Sequence, residues 1–193
     1  MYPERLKQFR FILASKSPRR QFLMRELGIP FDLVTKEVDE SFPEHLQGEE
    51  IPLYLCRKKA DAFDHELDEK TIVITADTIV WINNHVLNKP ADEAEARIML
   101  RELSGNRHEV YTGVCLKSKH KEITFAVRTD VYFKELTDGE IDYYVKTYNP
   151  LDKAGSYGAQ EWIGYIGVEK IEGSYFNVMG LPVKEMYEAI LEF

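Results

Sequence analysis

Short apolar runs and longer amphipathic stretches alternate along most of the chain. Runs rich in β-branched and aromatic residues, bounded by turn residues, are typical of strands. By this criterion, strands are predicted at 9–15, 31–41 (running into an acidic turn), 71–82, 86–87, 108–118, 121–136 and 165–173. The adjacent Asn83 and Asn84 predict a tight turn between the third and fourth runs. The fifth and sixth runs should form a long antiparallel pair.

Helices are predicted where apolar residues recur at helical spacing and where start and stop signals frame them. Ser17 is a good N-cap, Pro18 then falls at the first helical position, and Gly28 suits the residue just past the end. Thr137 and Glu140 have capping-box spacing. Further helices are predicted within 49–63, 91–105, 137–149 and 182–193.

The alternation of strands and helices predicts an α/β fold with a mixed central sheet flanked by helices. The sequence contains no internal repeat and no long linker of low complexity. We therefore expect one domain, 1–193, and its length also permits two lobes around a cleft.

Charge and composition narrow the function classes. The formal net charge of −8 argues against a protein that binds nucleic acid or a membrane surface, because such proteins usually present a basic face. No apolar run approaches membrane-spanning length or suggests a signal peptide, so a cytoplasmic location is the default expectation. Cys56 and Cys115 are expected to be buried free thiols. A small anionic ligand remains open, because a pocket needs only a few local cations.

Two adjacent arginines, Arg19 and Arg20, stand at the start of the first predicted helix, directly after a strand. Cations oppose the helix dipole there, whereas anions bind readily to the free N–H groups. Guanidinium groups can hold phosphate oxygens bidentately, and Ser15 and Ser17 add hydroxyl donors. We favour a phosphate-binding interpretation over two solvated surface arginines.

One carboxylate, Asp77, interrupts an otherwise apolar strand. A carboxylate in such a place costs free energy unless it is paired or binds a cation. It could be a metal ligand or a general base, or it could cap a turn at the strand end. Glu40, in an acidic turn, could supply further oxygen ligands, since Mg²⁺ prefers one or two carboxylates together with phosphate oxygens and water.

Lysines and a glycine-rich segment complete the candidate chemistry. Lys59, Lys89 and Lys153 lie in apolar or turn settings, and each could simply be a solvated surface lysine. The segment 152–164 contains three glycines, which suggests a close backbone approach to a ligand, or an ordinary surface loop. Within it, the amide of Gln160 could contact the edge of a base.

These fragments together resemble the Maf family of nucleotide pyrophosphatases. The matching pieces are LASKSPRR, VDE, RKKA, ADTIV, LNKP, LSG followed by HEVYTGV, PLDKAGSYGAQ, and GSYFNVMGLPV, which occur in family order over nearly the whole chain. The resemblance implies hydrolysis of a nucleoside triphosphate between its α and β phosphates, giving a monophosphate and pyrophosphate. It also implies a divalent cation (Mg²⁺ or Mn²⁺), a cleft between two α/β lobes and often a homodimer.

The segment DKAGSYGAQ resembles the branch of the family that acts on dTTP and UTP. By this resemblance Asp77 is the proton acceptor and Glu40 is an acidic site residue, with both carboxylates as candidate metal ligands. The residues that the resemblance ties to substrate choice are Arg20, Thr78 and Gln160. Those that it ties to phosphate are Arg19, Lys59 and Lys89. The chain departs from the family pattern at Glu161, where glycine usually follows the glutamine.

Three other functions remain compatible with these residues. One is a pyrophosphatase for modified nucleotides such as 7-methyl-GTP, which would keep the same reaction. Another is a nucleotide-binding regulator of cell division, which would keep the arginines without needing Asp77. The third is a structural or interaction protein with a surface arginine pair, which would show no metal-dependent ligand binding. Turnover of a panel of nucleoside triphosphates distinguishes the first two.

Overall fold

The computed structural model describes residues 3–193 and contains seven strands and seven α-helices among them. The strands are β1 (Arg10–Leu13), β2 (Asp32–Leu33), β3 (Thr71–Ile82), β4 (His85–Leu87), β5 (Arg107–Lys117), β6 (Glu122–Phe133) and β7 (Val168–Glu172). The helices are α1 (Pro18–Glu26), α2 (Glu50–Asp61), α3 (Glu93–Leu103), α4 (Asp138–Tyr148), α5 (Trp162–Gly167), α6 (Tyr175–Val178) and α7 (Val183–Ile190). Short 3₁₀ turns lie at Glu4–Gln8, Asp64–Glu66, Pro150–Asp152 and Ala154–Ser156.

All seven strands belong to one mixed sheet, in the order β2-β1-β3-β5-β6-β7, with β4 paired to β3. Strand β1 pairs in parallel with β2 and β3, whereas β3 with β4 and β6 with β7 are antiparallel. Strands β5 and β6 are neighbours in the sheet, joined by the short connection 118–121. The predicted fold class, a mixed central sheet flanked by helices, is confirmed.

The chain divides into two compact units. Unit 1 contains residues 3–77, Thr112–Val127 and Gly180–Phe193, and unit 2 contains Thr78–Tyr111 and Arg128–Met179. Strand β3 leaves unit 1 after Asp77 and enters unit 2 at Thr78. A single domain over the whole chain, with a cleft, stays a prediction.

In unit 1, α2 contacts β3 through the hydrogen bond from Thr75 to the Cys56 carbonyl. Ile12 of β1, Val73 of β3 and Phe63, which follows α2, form a small apolar cluster. Gly113 of β5 allows α2 to approach closely: a Cβ atom on this glycine would lie 2.4 Å from the carbonyl oxygen of Pro52. Cys56 and Cys115 are both buried and free, as expected.

Unit 2 has an apolar cluster that includes residues of β3 to β7 and of α3, α4 and α5. Inside unit 2, the rings of His108, Phe133 and Tyr157 meet edge to face with centroids 5.0–5.3 Å apart. The His108 Nε2 and Tyr157 Oη atoms are 2.7 Å apart. Burial lowers the pKa of His108 to about 3, so the ring is neutral at ordinary pH.

Two predicted strands, 31–41 and 165–173, need a physical explanation because they differ from the structure in length or type. Strand β2 has only two residues, both exposed, and edge strands are often this short. Residues Tyr165–Gly167, predicted as strand, are helical and end α5. Gly164 explains the difference, because a Cβ there would lie 2.0 Å from the Ala159 carbonyl oxygen; only glycine permits this tight return of the chain.

No helix formed by residues 3–193 is both long and apolar enough to cross a membrane.

Candidate functional site

The segment between β1 and α1 is built from short hydroxyl residues. The side chain of Ser17 caps α1 by accepting a hydrogen bond from the Arg20 N–H. The Oγ atom of the buried Ser15 accepts from the Ser17 N–H at 3.2 Å. Both hydroxyls use their oxygens as acceptors in these bonds, so their protons can be donated to an anion at the helix N-terminus.

Arg20 is anchored on the far end of the chain. Its Nε atom donates to the Gly180 carbonyl at 2.7 Å. Burial lowers the pKa of Arg20, the charge of Asp77 opposes this shift, and the neighbouring charge of Arg19 adds to it. Two guanidinium groups and a carboxylate thus share one electrostatic environment, which would favour binding of an anion near the arginines.

The strongest feature of the site is the ammonium group of Lys59, which joins two carboxylates. Its Nζ atom lies 2.5 Å from Asp77 Oδ1 and 2.8 Å from Glu40 Oε1. The side chains of Lys59 and Asp77 are only 17% and 13% exposed, whereas that of Glu40 is half exposed. Two carboxylates therefore converge on one cation.

The packing of α2 on β3 sets this geometry. The Thr75 hydroxyl donates to the Cys56 carbonyl of α2 at 2.6 Å. Alternate residues of a strand share a face, so Asp77 points the same way as Thr75. Lys59 follows Cys56 by three residues and lies nearby on the same side of α2. The hydrogen bond and the ion pair together fix Asp77 against the helix.

In unit 2, the turn that carries Lys89 is tied to the glycine-rich segment. The Gly155 N–H donates to the Asn88 carbonyl at 3.2 Å. Gly155 has a φ of +65°, and a Cβ there would lie 2.9 Å from Val80 Cγ2. The exposed Lys89 is thereby held beside the segment that contains Gln160.

The carboxamide of Gln160 is held in that segment with one polar atom unsatisfied. Its Oε1 atom is buried and has no hydrogen-bond partner among residues 3–193. The Gln160 backbone carbonyl accepts from the Tyr165 hydroxyl at 2.5 Å. A buried acceptor of this kind is costly to leave unpaired, and a ligand that donates a hydrogen bond would satisfy it.

An ion pair that the sequence did not reveal lies next to Gln160. Lys153 Nζ is 2.7 Å from Asp152 Oδ1 and 3.2 Å from Glu161 Oε1. The other Glu161 oxygen accepts from the Tyr144 hydroxyl, which in turn accepts from the Gly158 N–H at 3.1 Å. In the structure, the Lys153 ammonium is held by carboxylates of its own segment.

The structure thus places the sequence-predicted residues in two groups, one in each unit. Unit 1 holds Ser15, Ser17, Arg19, Arg20, Glu40, Lys59 and Asp77, and unit 2 holds Thr78, Lys89 and Gln160. Their roles in binding and catalysis stay predictions. Sequence reasoning missed Gly180 and Tyr144 as partners; the only signal for Glu161 was its departure from the family pattern.

Comparison with known proteins identifies the family of the chain. The family model for Maf-like proteins matches residues 10–193. A protein of Bacteroides fragilis named dTTP/UTP pyrophosphatase is 52% identical over 186 residues, covering 96% of each chain. A protein of Christiangramia forsetii with the same name is 50% identical over 192 residues, covering 100% of this chain and 98% of the relative.

A solved structure, the Ham1 protein of Staphylococcus aureus, is 15% identical with a TM-score of 0.49; it covers 95% of this chain and 98% of its own. The family match spans nearly the whole chain, and the full-length relatives are about half identical. The chain therefore belongs to the Maf family.

Proposed function

We propose that this protein hydrolyses dTTP and UTP to the nucleoside monophosphate and pyrophosphate. The observation that carries the proposal is the convergence of Asp77 and Glu40 on the Lys59 ammonium, close to the arginines of α1. Such a site offers cations for a triphosphate and carboxylates for a metal ion and a proton. The relatives named dTTP/UTP pyrophosphatase support the choice of substrate.

The phosphate groups would be bound by cations from short segments of the chain. Arg19 and Arg20 stand at the N-terminus of α1, where the helix dipole also favours an anion. Ser15 and Ser17 would donate hydroxyl hydrogen bonds. Lys59 and Lys89 would add ammonium groups, which bind phosphate as point charges. These groups explain how a protein of net charge −8 could bind a polyanion.

The carboxylates of Asp77 and Glu40 fit a divalent cation. Both already bind one cationic group at hydrogen-bond distance. No group of three or more His, Cys, Asp or Glu that could hold a metal occurs in the described part of the chain, and Mg²⁺ needs only one or two carboxylates when phosphate oxygens and water complete its shell. A bound Mg²⁺ or Mn²⁺ would neutralise phosphate charge and polarise the phosphoryl group.

Asp77 would act as the base. Water attacks the α phosphorus, a new P–O bond forms, and the bond to the bridging oxygen breaks. Asp77 takes the proton of the water, and the electron pair of the broken bond leaves with pyrophosphate. The cations beside the site would stabilise that leaving group. Asp77 is better suited than Glu40, because it is mostly buried and rigidly held against α2.

Gln160 would select the base. Its buried and unsatisfied Oε1 can accept the N3–H of thymine or uracil, and its amide can donate to a ring carbonyl. Cytosine has no N3–H, so it would leave this acceptor unpaired. Thr78, the residue after Asp77 in β3, is the second residue that the family resemblance ties to substrate choice.

Two further properties complete the proposal. A homodimer is implied by the family resemblance, and analytical ultracentrifugation tests it. The cytoplasm is the location that the substrate implies, because nucleoside triphosphates are made and used there.

Pyrophosphate release from a panel of standard and modified nucleoside triphosphates tests the function. We expect release with Mg²⁺ or Mn²⁺, strongest from dTTP and UTP, and its loss with a chelator. Asp77→Asn should reduce the turnover number by at least about a thousandfold at unchanged circular dichroism. The control is Asp32→Asn, which removes an exposed carboxylate paired with Arg10 in the same unit.

Other outcomes would change the assignment. Release confined to 7-methyl-GTP or another modified purine would overturn the role of Gln160 and keep the reaction. Nucleotide binding without any release would favour a regulator of cell division. Near-normal turnover by Asp77→Asn would exclude Asp77 as the base.

A further inference from the structure

The loop 153–161 ends with Gln160 and Glu161. Contacts made by the Glu161 carboxylate hold this loop in place. One carboxylate oxygen of Glu161 pairs with Lys153 at 3.2 Å, and the other accepts from Tyr144. The same tyrosine oxygen accepts the Gly158 N–H. Glu161 thus links the first residue of the loop, α4 and the loop backbone.

The carboxamide of Gln160 and the carboxylate of Glu161 converge on one glycine. A Cβ on Gly158 would lie 2.9 Å from Gln160 Nε2, 3.0 Å from Glu161 Cδ and 3.1 Å from Glu161 Oε2. The two side chains therefore flank the same backbone position. Movement of Glu161 away from Gly158 would open space beside the amide of Gln160.

The charges around Glu161 stabilise its hydrogen bond with Tyr144 and its ion pair with Lys153. Burial and the Glu161 carboxylate raise the pKa of Tyr144, so its hydroxyl remains a donor to Glu161. The side chain of Lys153 is 8% exposed and that of Glu161 is 20% exposed, which limits screening by solvent. Lys153 also keeps Asp152 as a second partner, so the loop retains one ion pair when Glu161 is neutralised.

We propose that Glu161 is a positioning residue for base selection: through Tyr144 and Lys153 it fixes the loop so that the Gln160 carboxamide faces the pyrimidine edge. This inference rests on the proposed function. A second consequence is that the ion pair with Glu161 holds the Lys153 ammonium away from the phosphates. Lys153 therefore stabilises the loop and is not a phosphate ligand.

Two variants test the role of Glu161. Glu161→Gln removes the charge while keeping a similar shape, and Tyr144→Phe removes the hydroxyl that connects Glu161 to the loop backbone. We expect each to lower the selectivity for UTP over CTP, measured as the ratio of kcat/KM values, by about tenfold, the worth of one hydrogen bond. Glu169→Gln, an exposed carboxylate of β7, is the matched control and should keep the wild-type ratio.

A purely structural role would lower thermal stability without changing which base is preferred. The selectivity ratio therefore separates positioning from folding, and unchanged ratios in both variants would overturn the inference. Lys153→Met removes one partner of Glu161, so it should lower the UTP-to-CTP ratio as Glu161→Gln does, while the affinity for inorganic pyrophosphate stays within about twofold. A large loss of pyrophosphate affinity would show that Lys153 binds phosphate and would overturn the second consequence.

A binding measurement separates the inference from the proposed function. Calorimetry with the non-hydrolysable α,β-imido analogues of dUTP and dCTP measures base preference without turnover. If the wild-type protein prefers the uracil analogue but hydrolyses nothing, the proposed function fails; loss of that preference in Glu161→Gln would still support the inference. If the protein shows no base preference in binding or turnover, the inference fails.

Discussion

Replacement of Lys59 by methionine tests whether its ammonium occupies the place of the metal. In the structure the ammonium is held by Asp77 and Glu40, the carboxylates assigned to a divalent cation. A metal ion bound to both carboxylates would have to displace this ammonium. Lys59→Met should therefore raise the affinity of the nucleotide-free protein for Mn²⁺, even though it removes a residue assigned to the substrate.

The expected gain follows from the exposure of the two pairs. A hydrogen bond to a charged group contributes about 1.5–3 kcal/mol, and exposed pairs contribute much less. The pair with Asp77 is mostly buried and keeps most of that value, whereas Glu40 is half exposed and adds little. We take about 2 kcal/mol as the free energy that the metal must overcome, which corresponds to about thirtyfold in the dissociation constant.

The assay is the electron paramagnetic resonance signal of free Mn²⁺ during titration of the nucleotide-free protein. Removal of any positive charge makes the local electrostatic potential more negative and so strengthens cation binding. The control must therefore remove an equal charge nearby. Lys58→Met does this, because Lys58 is the preceding residue of α2 and its ammonium binds Asp39 and the Ser41 carbonyl instead. We expect about thirtyfold tighter binding for Lys59→Met and a change below about threefold for Lys58→Met.

Equal Mn²⁺ affinities for the two variants would refute the reasoning, because the ammonium would then not compete with the metal. Tighter binding should be accompanied by slower pyrophosphate release, since Lys59→Met also removes a cation assigned to the triphosphate. Faster release by this variant would contradict the phosphate role of Lys59.

Three further predictions concern stability, each measured by urea unfolding. His108→Gln should be less stable than the wild type at about pH 7.5, and this difference in the free energy of unfolding should shrink by about 2–3 kcal/mol on going to about pH 4.5. The buried imidazole stays neutral down to about pH 3, whereas the unfolded one takes up a proton below about pH 6.5, so the wild type alone loses stability in that window. A difference independent of pH would contradict this. Gly113→Ala should destabilise by about 3 kcal/mol, because its Cβ would meet the backbone of α2. Gly139→Ala in α4 would make only an ordinary contact, 4.0 Å from the Thr137 hydroxyl, and should be neutral or stabilising. Thr137→Ala should cost about 1 kcal/mol by removing the capping box, and no loss would show that the cap is dispensable.

Local signals in the sequence predicted most of the elements of the fold. The capping serine of α1, the capping box of α4 and the two left-handed asparagines, Asn83 and Asn84, all lie where predicted. These signals act within a few residues, so the sequence contains them. Helix α5 was missed because its cause is tertiary: Gly164 packs on the Ala159 carbonyl, and this contact overrides the β-branched and aromatic residues around it.

In the candidate site, the sequence indicated which residues matter but not which of them form pairs. The sequence indicated Asp77 as a carboxylate in an apolar strand, where a charge needs a partner. It indicated Glu40 as part of an acidic turn and Lys59 as a lysine in an apolar setting. It could not indicate that they are one another's partners. That pairing depends on how α2 packs on β3, where the Thr75 hydroxyl reaches the Cys56 carbonyl.

The paired charges also explain how a site for a metal and a polyanion can be stable while no ligand is bound. Unpaired, the carboxylate of Asp77 and the guanidinium of Arg20 would each be destabilising where they are partly buried. Lys59 and Gly180 hold them until substrate arrives. A metal–nucleotide complex carries both signs of charge, so it can replace the ammonium at the carboxylates while its phosphates engage the released Lys59. If this exchange operates, metal and nucleotide should bind with positive coupling in the wild type, and Lys59→Met should reduce that coupling in a calorimetric titration of each ligand in the presence of the other. Equal coupling in the two proteins would rule out the exchange.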